Sequence, residues 1–105
     1  MKKAKRNSLE ARGWRVGSVA EFLVLSAEDA ALVETKLALS GALRARREAK
    51  KLTQQQLAKL LKSSQSRVAK MEAGDPSVSV DLLLKGLFAL GANPREVGRA
   101  LHHAA

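Results

Sequence analysis

Gln54, Gln65, Ser66 and Lys70 carry the side chains best suited to chemistry in this chain. Amide, hydroxyl and ammonium groups are what bond heterocycle edges and phosphate oxygens. At helical spacing Gln65, Ser66, Ala69 and Lys70 share one side, with Val68 and Met71 behind them. A short helix with an apolar back and a polar front has the build of an element that enters a DNA major groove. Gln can bond adenine through N6 and N7. Ala69 can touch a thymine methyl, and Lys70 can reach a guanine edge or a phosphate.

Other chemistries have little to stand on. The chain has no Cys, so thiolate metal sites and disulfides are excluded. His102 and His103 are neighbours near the C-terminus and point apart on a helix, so a shared metal would need outside ligands. No nucleophile–base set, glycine-rich phosphate loop or paired carboxylate motif occurs. The expectation is a protein that is not an enzyme and needs no cofactor or metal.

Helices must hold the polar set in place. Thr53 is a good cap for a helix over 54–61, and Ser64 for one over 65–73 that Gly74 ends. Ser26 followed by Asp29 marks a helix start with acidic residues at the positive end of its dipole. That helix reaches about Lys50, either unbroken or bent near Ser40-Gly41. Ser79 caps an apolar stripe over 80–90, stopped by Gly91. Asn93-Pro94-Arg95-Glu96 opens a last helix ending near Leu101. No strand-like alternation is present. The expected fold is all-α, with five or six helices.

The formal charge of +9, from 19 Lys and Arg against 10 Asp and Glu, favours a polyanionic partner. Its distribution is uneven. Residues 1–15 hold six basic and one acidic side chain, residues 16–43 one and four, and residues 44–75 nine and three. Nucleic acid at the basic middle and a basic protein at the acidic stretch is the simplest reading. No apolar run approaches the roughly 20 residues that span a bilayer, and no signal-peptide pattern follows the basic N-terminus. The expected location is cytoplasmic.

The stretch LTQQQLAKLLKSSQSRVAKMEAG resembles the lambda repressor and Cro-like (XRE) family of helix-turn-helix proteins. Matches at Leu52, Thr53, Gln54, Leu57, Ala58, Ser64, Val68, Glu72 and Gly74 carry the likeness, which covers roughly residues 43–92. The resemblance implies that Gln54 contacts a phosphate and braces the recognition helix. It places Ser64, Gln65, Ser66, Arg67, Ala69 and Lys70 at the DNA, with Arg67 more suited to phosphate than to base. It implies an Arg47–Glu72 pair of structural purpose. Arg44, Arg46, Lys50 and Lys51 are either phosphate contacts or solubilising charge. Two departures stand out. Lys62 occupies the turn position usually held by Gly, and Ser63 the next, usually a buried aliphatic, so a looser turn is expected. Relatives bind pseudo-palindromic operators as dimers. Leu82 and Phe88, off the main stripe, suggest a homodimer through the C-terminal helices or, alternatively, completion of the monomer core.

A minimal repressor of this family would not need residues 1–40. The phrase GWRVGSVAEFLVLS, placed before the motif, resembles antitoxins of the HigA type. That resemblance implies autorepression and neutralisation of a small basic RelE/HigB-like ribonuclease. Trp14, Val16, Phe22 and Leu23 are then the partner-binding set, since aromatics serve as interface anchors. The alternative is that they pack on the protein's own helices. The resulting division is a basic arm and partner-binding segment over 1–25 and a DNA-binding domain over 26–105.

Overall fold

The computed structural model describes residues 26–104. The basic arm and partner-binding segment over 1–25, with Trp14, Val16, Phe22 and Leu23, lies outside the described residues. Five helices follow one another: α1 (Ala27–Ala49), α2 (Gln54–Leu60), α3 (Gln65–Ala73), α4 (Val80–Ala89) and α5 (Pro94–Ala104). No strand occurs among the described residues. The fold is all-α, as the periodicity and caps predict.

Each start is set locally. Ser26, Thr53, Ser64 and Ser79 accept from the backbone N–H three residues on, at 3.1–3.2 Å. Thr53 and Gln56 form a reciprocal capping box, and so do Asn93 and Glu96. Glu28 and Asp29 occupy the first turn of α1, at the positive end of its dipole. α1 runs unbroken past Gly41, around which a Cβ would meet nothing within 4 Å. The bend left open by the sequence is absent: the helix is unbroken over Ala27–Ala49 and packs on α3, α4 and α5. The last helix runs to Ala104, past the expected end near Leu101.

The core gathers Leu39 and Leu43 of α1, Leu57 of α2, Val68 and Met71 of α3, and Leu83 and Leu87 of α4. Leu43, Leu57, Val68 and Met71 have no exposed surface. Truncating any of these Leu residues to Ala costs about 2–5 kcal/mol. Gly86 lets α4 come close: a Cβ there would lie 3.1 Å from both Leu43 Cδ1 and Met71 Cε. The recognition helix is thus clamped from behind by α1 and α4. Of the apolar residues that mark α1 in sequence, Leu32 stays half exposed, at 51%. Lys36 and Ser40 are buried in its place, because the inward face runs through Val33, Lys36, Ser40 and Leu43. Leu82 packs against the core, while Phe88 remains 45% exposed.

Candidate nucleic-acid interface

α2 and α3 pack directly on each other and are joined by four residues. Leu57 and Ala58 are buried at their contact, opposite Val68. A small residue at Ala58 lets two helix backbones cross closely.

The turn between them is intact. Lys62 has φ 53, and its N–H donates to Lys59 O at 3.2 Å while Ser63 N donates to Ala58 O at 2.8 Å. This is a Schellman closure with Lys where glycine is easiest. The left-handed backbone costs on the order of 1 kcal/mol for a residue with a Cβ. The looser turn expected from Lys62 and Ser63 does not occur, because those two hydrogen bonds need backbone groups only. α1 ends the same way at Lys51, with φ 57 and Leu52 N donating to Arg47 O at 3.1 Å.

A polar junction fixes α3 relative to α1 and α2. Arg47 Nε donates to Glu72 Oε2 at 2.5 Å, and Arg47 Nη2 to Glu72 Oε1 at 2.9 Å. Arg47 Nη1 also donates to Leu52 O at 2.7 Å, and Gln54 Nε2 to Glu72 Oε1 at 3.2 Å. The Glu72 side chain is 4% exposed and that of Arg47 13%. Hydrogen bonding to Glu72 raises the Arg47 guanidinium further above its ordinary pKa, so Arg47 stays cationic at every working pH. The pair is structural, as expected, and Gln54 braces the recognition helix through Glu72. Gln54 is half buried at the junction, with its amide turned to Glu72.

The predicted reading residues sit on the outward side of α3. Gln65, Ser66, Arg67 and Lys70 are exposed and Ala69 is half-buried, while Val68 and Met71 face the core. Ser64 is committed as the cap of α3, accepting from Arg67 N at 3.1 Å. The side of α3 toward α2 carries Gln65 and Ala69. The side toward α4 carries Arg67, where Ser66, Arg67 and Lys70 line a recess of about 250 Å³ opposite Ser77, Val78 and Leu82.

Gln55 belongs with this set, although its type alone does not separate it from its neighbours. Its Nε2 donates to Gln65 Oε1 at 3.2 Å. The one signal in the sequence is positional: both glutamines lie in the first turn of consecutive helices. Arg46 leaves the set of phosphate candidates. Its Nε donates to Leu90 O at 3.1 Å and its Nη1 to Glu96 Oε2 at 2.8 Å, tying α1 to the start of α5. Arg44 pairs with Glu48 on the exposed side of α1 at 3.2 Å. The rings of His102 and His103 stand edge to face with centroids 6.0 Å apart, rather than pointing apart. No metal-binding group of His, Asp and Glu exists among the described residues.

Two crossed helices, a closed turn and an outward polar face define a helix-turn-helix domain. A family model described as helix-turn-helix matches residues 43–96, and the chain belongs to that XRE-type, lambda repressor and Cro-like family of DNA-binding regulators. Among curated proteins and solved structures no significant match is found. No helix among the described residues is long and apolar enough to cross a membrane.

Proposed function

We propose that the chain is a sequence-specific repressor of the antitoxin kind. It binds a pseudo-palindromic operator as a homodimer, represses its own operon and neutralises a small basic RelE/HigB-like ribonuclease. Ser64 shapes the start of α3. Gln65, Ser66 and Ala69 read base edges, Gln54 and Arg67 hold phosphates, and Lys70 meets either.

The observation that carries the partner half is α1 upstream of the matched stretch 43–96. There Leu32 is 51% exposed, on a helix that also presents Glu28, Asp29 and Glu34 at the surface. An apolar side chain among carboxylates suits a basic protein, whose approach the carboxylates would steer. Residues 1–25, with Trp14, Val16, Phe22 and Leu23, serve as the partner-binding segment ahead of the DNA-binding domain. The exposed Phe88 supports self-association through the C-terminal helices.

Co-purification with the product of the adjacent reading frame tests the reading. A stable complex in which that product's ribonuclease activity is silenced is the expected result. If no small basic partner is sequestered, a free-standing repressor of the same family is the reading that remains, and the matched stretch alone supports it.

A further inference from the structure

α1 and α5 face each other with short side chains. Ala42, Ala45 and Ala49 of α1 line one wall, and Ala100 of α5 lies across from them. Methyl groups do not fill the space between the two helices. A groove of about 410 Å³ stays open there, with the buried Leu87 and Val97 in its lining. That volume falls within the roughly 300–1,000 Å³ of small-ligand clefts. The α5 wall, at Val97, Arg99, Ala100 and His103, lies beyond the matched stretch 43–96. The groove is therefore built in part outside the matched module.

The polar groups of the lining are basic except for Glu96. Glu96 is already engaged: Oε2 accepts from Arg46 Nη1 at 2.8 Å, and Oε1 from Asn93 N at 3.3 Å. Arg46 is held by that bond and by Leu90 O. Arg99 differs from both. It is exposed and acts on Glu96 through space, but no carboxylate among the described residues forms an ion pair with it. His103 follows at i+4, on the same side of α5. The groove thus joins an apolar wall to a guanidinium without a carboxylate partner.

We propose that the groove between α1 and α5 binds a small monocarboxylate with an apolar tail. The tail lies along the methyl groups of Ala42, Ala45 and Ala49, where it removes apolar surface from water. The carboxylate meets Arg99 at the mouth in a charge-assisted bond, with His103 beside it. A cationic head would find only Glu96 there, whose two oxygens are taken. Neither a duplex nor a protein partner enters this site, so its test is independent of the repressor reading.

The test uses the full chain, with octanoate, its neutral counterpart octanol, and acetate as probes. Backbone amide signals and the thermal unfolding midpoint are followed in wild type, Arg99→Gln and Ala45→Leu. Octanoate is expected to shift the signals of Ala45, Ala49, Val97 and Ala100 saturably. It should also raise the midpoint, since a ligand of the folded state stabilises that state. Acetate, a head without a tail, should move neither. Octanol on wild type, and octanoate on Arg99→Gln, should each bind about tenfold more weakly, the effect of one charge-assisted bond. Ala45→Leu fills the groove and should abolish the octanoate shifts. Ala45 is exposed and Leu favours a helix, so this variant should fold; if it does not, Arg99→Gln and the map of shifted signals decide. Equal affinity for octanol and octanoate would overturn the carboxylate, and unaltered binding in Ala45→Leu the groove. Shifts that never saturate and spread over the whole surface would mean detergent-like contact and overturn the proposal. So would groove signals that move with protein concentration alone, because a second copy would then cover the groove.

Discussion

Arg47 and Glu72 meet through two parallel hydrogen bonds, 25 residues apart in sequence and with little exposed surface. The bond pair ties the C-terminal part of α1 to the back of α3, so the angle at which α3 faces solvent is set by charge pairing as well as by packing. Removing one partner strands the other charge in the junction. Arg47→Met should therefore destabilise the domain by about 3–5 kcal/mol. Thermal or urea unfolding checks this. A loss under 1 kcal/mol would mean the pair is well solvated.

Lys62→Gly should act in the opposite direction. The backbone there is already left-handed, at φ 53, and glycine adopts that region without the Cβ clash. The turn should gain about 1 kcal/mol, readable as a raised denaturation midpoint with an unchanged slope. A destabilised Lys62→Gly would show that the Lys62 side chain contributes something the turn geometry does not require.

Gln55 and Gln65 form a linked pair, with Gln55 donating to Gln65 Oε1. Gln65→Ala is expected to relax discrimination at one base of each half-site and to cost about 1–3 kcal/mol on the preferred duplex. Gln55→Ala should loosen the same base position by a smaller amount, because it frees Gln65 to rotate. Binding measured on single-base variants of the duplex distinguishes the two. Effects at different base positions would separate the pair.

Acid should weaken the fold in a defined window. Hydrogen bonding to Arg46 holds the Glu96 carboxyl below its ordinary pKa, and Ser77 does the same for Asp75. The unfolded chain thus takes up these protons at higher pH than the folded one. Their stabilisation is present above the ordinary carboxylate pKa values of the unfolded chain and is lost as the pH falls through the lowered folded-state values. Glu96→Gln should flatten part of that loss in urea titrations at successive pH values. An unchanged pH profile in Glu96→Gln would count against the Arg46 contact.

The caps and stops of these helices are legible in sequence because they are local. Ser64 and Arg67, or Asn93 and Glu96, lie three residues apart, and helix geometry alone brings them together. The Arg47–Glu72 pair is legible only through resemblance to a family, since 25 residues intervene. Lys36 is hidden further. A lysine among Thr35, Leu37 and Ala38 looks solvated, and only the path of the connection at Pro76 draws it inward. Gln55 is hidden for another reason. Three consecutive glutamines have identical chemistry, and the crossing of α2 over α3 selects which of them meets Gln65. Arg46 shows the same effect in reverse. Its charge suggests a phosphate contact, but the chain returning at Leu90 and Glu96 engages it first.

Selection of preferred duplexes from a random pool, with wild type and Gln65→Ala side by side, tests most directly whether the outward face of α3 reads bases. Wild type should enrich a pseudo-palindrome, and Gln65→Ala should enrich the same pattern with one position per half-site degenerate. Identical enriched sequences from both proteins, or no enrichment by wild type, would contradict the assignment of that face.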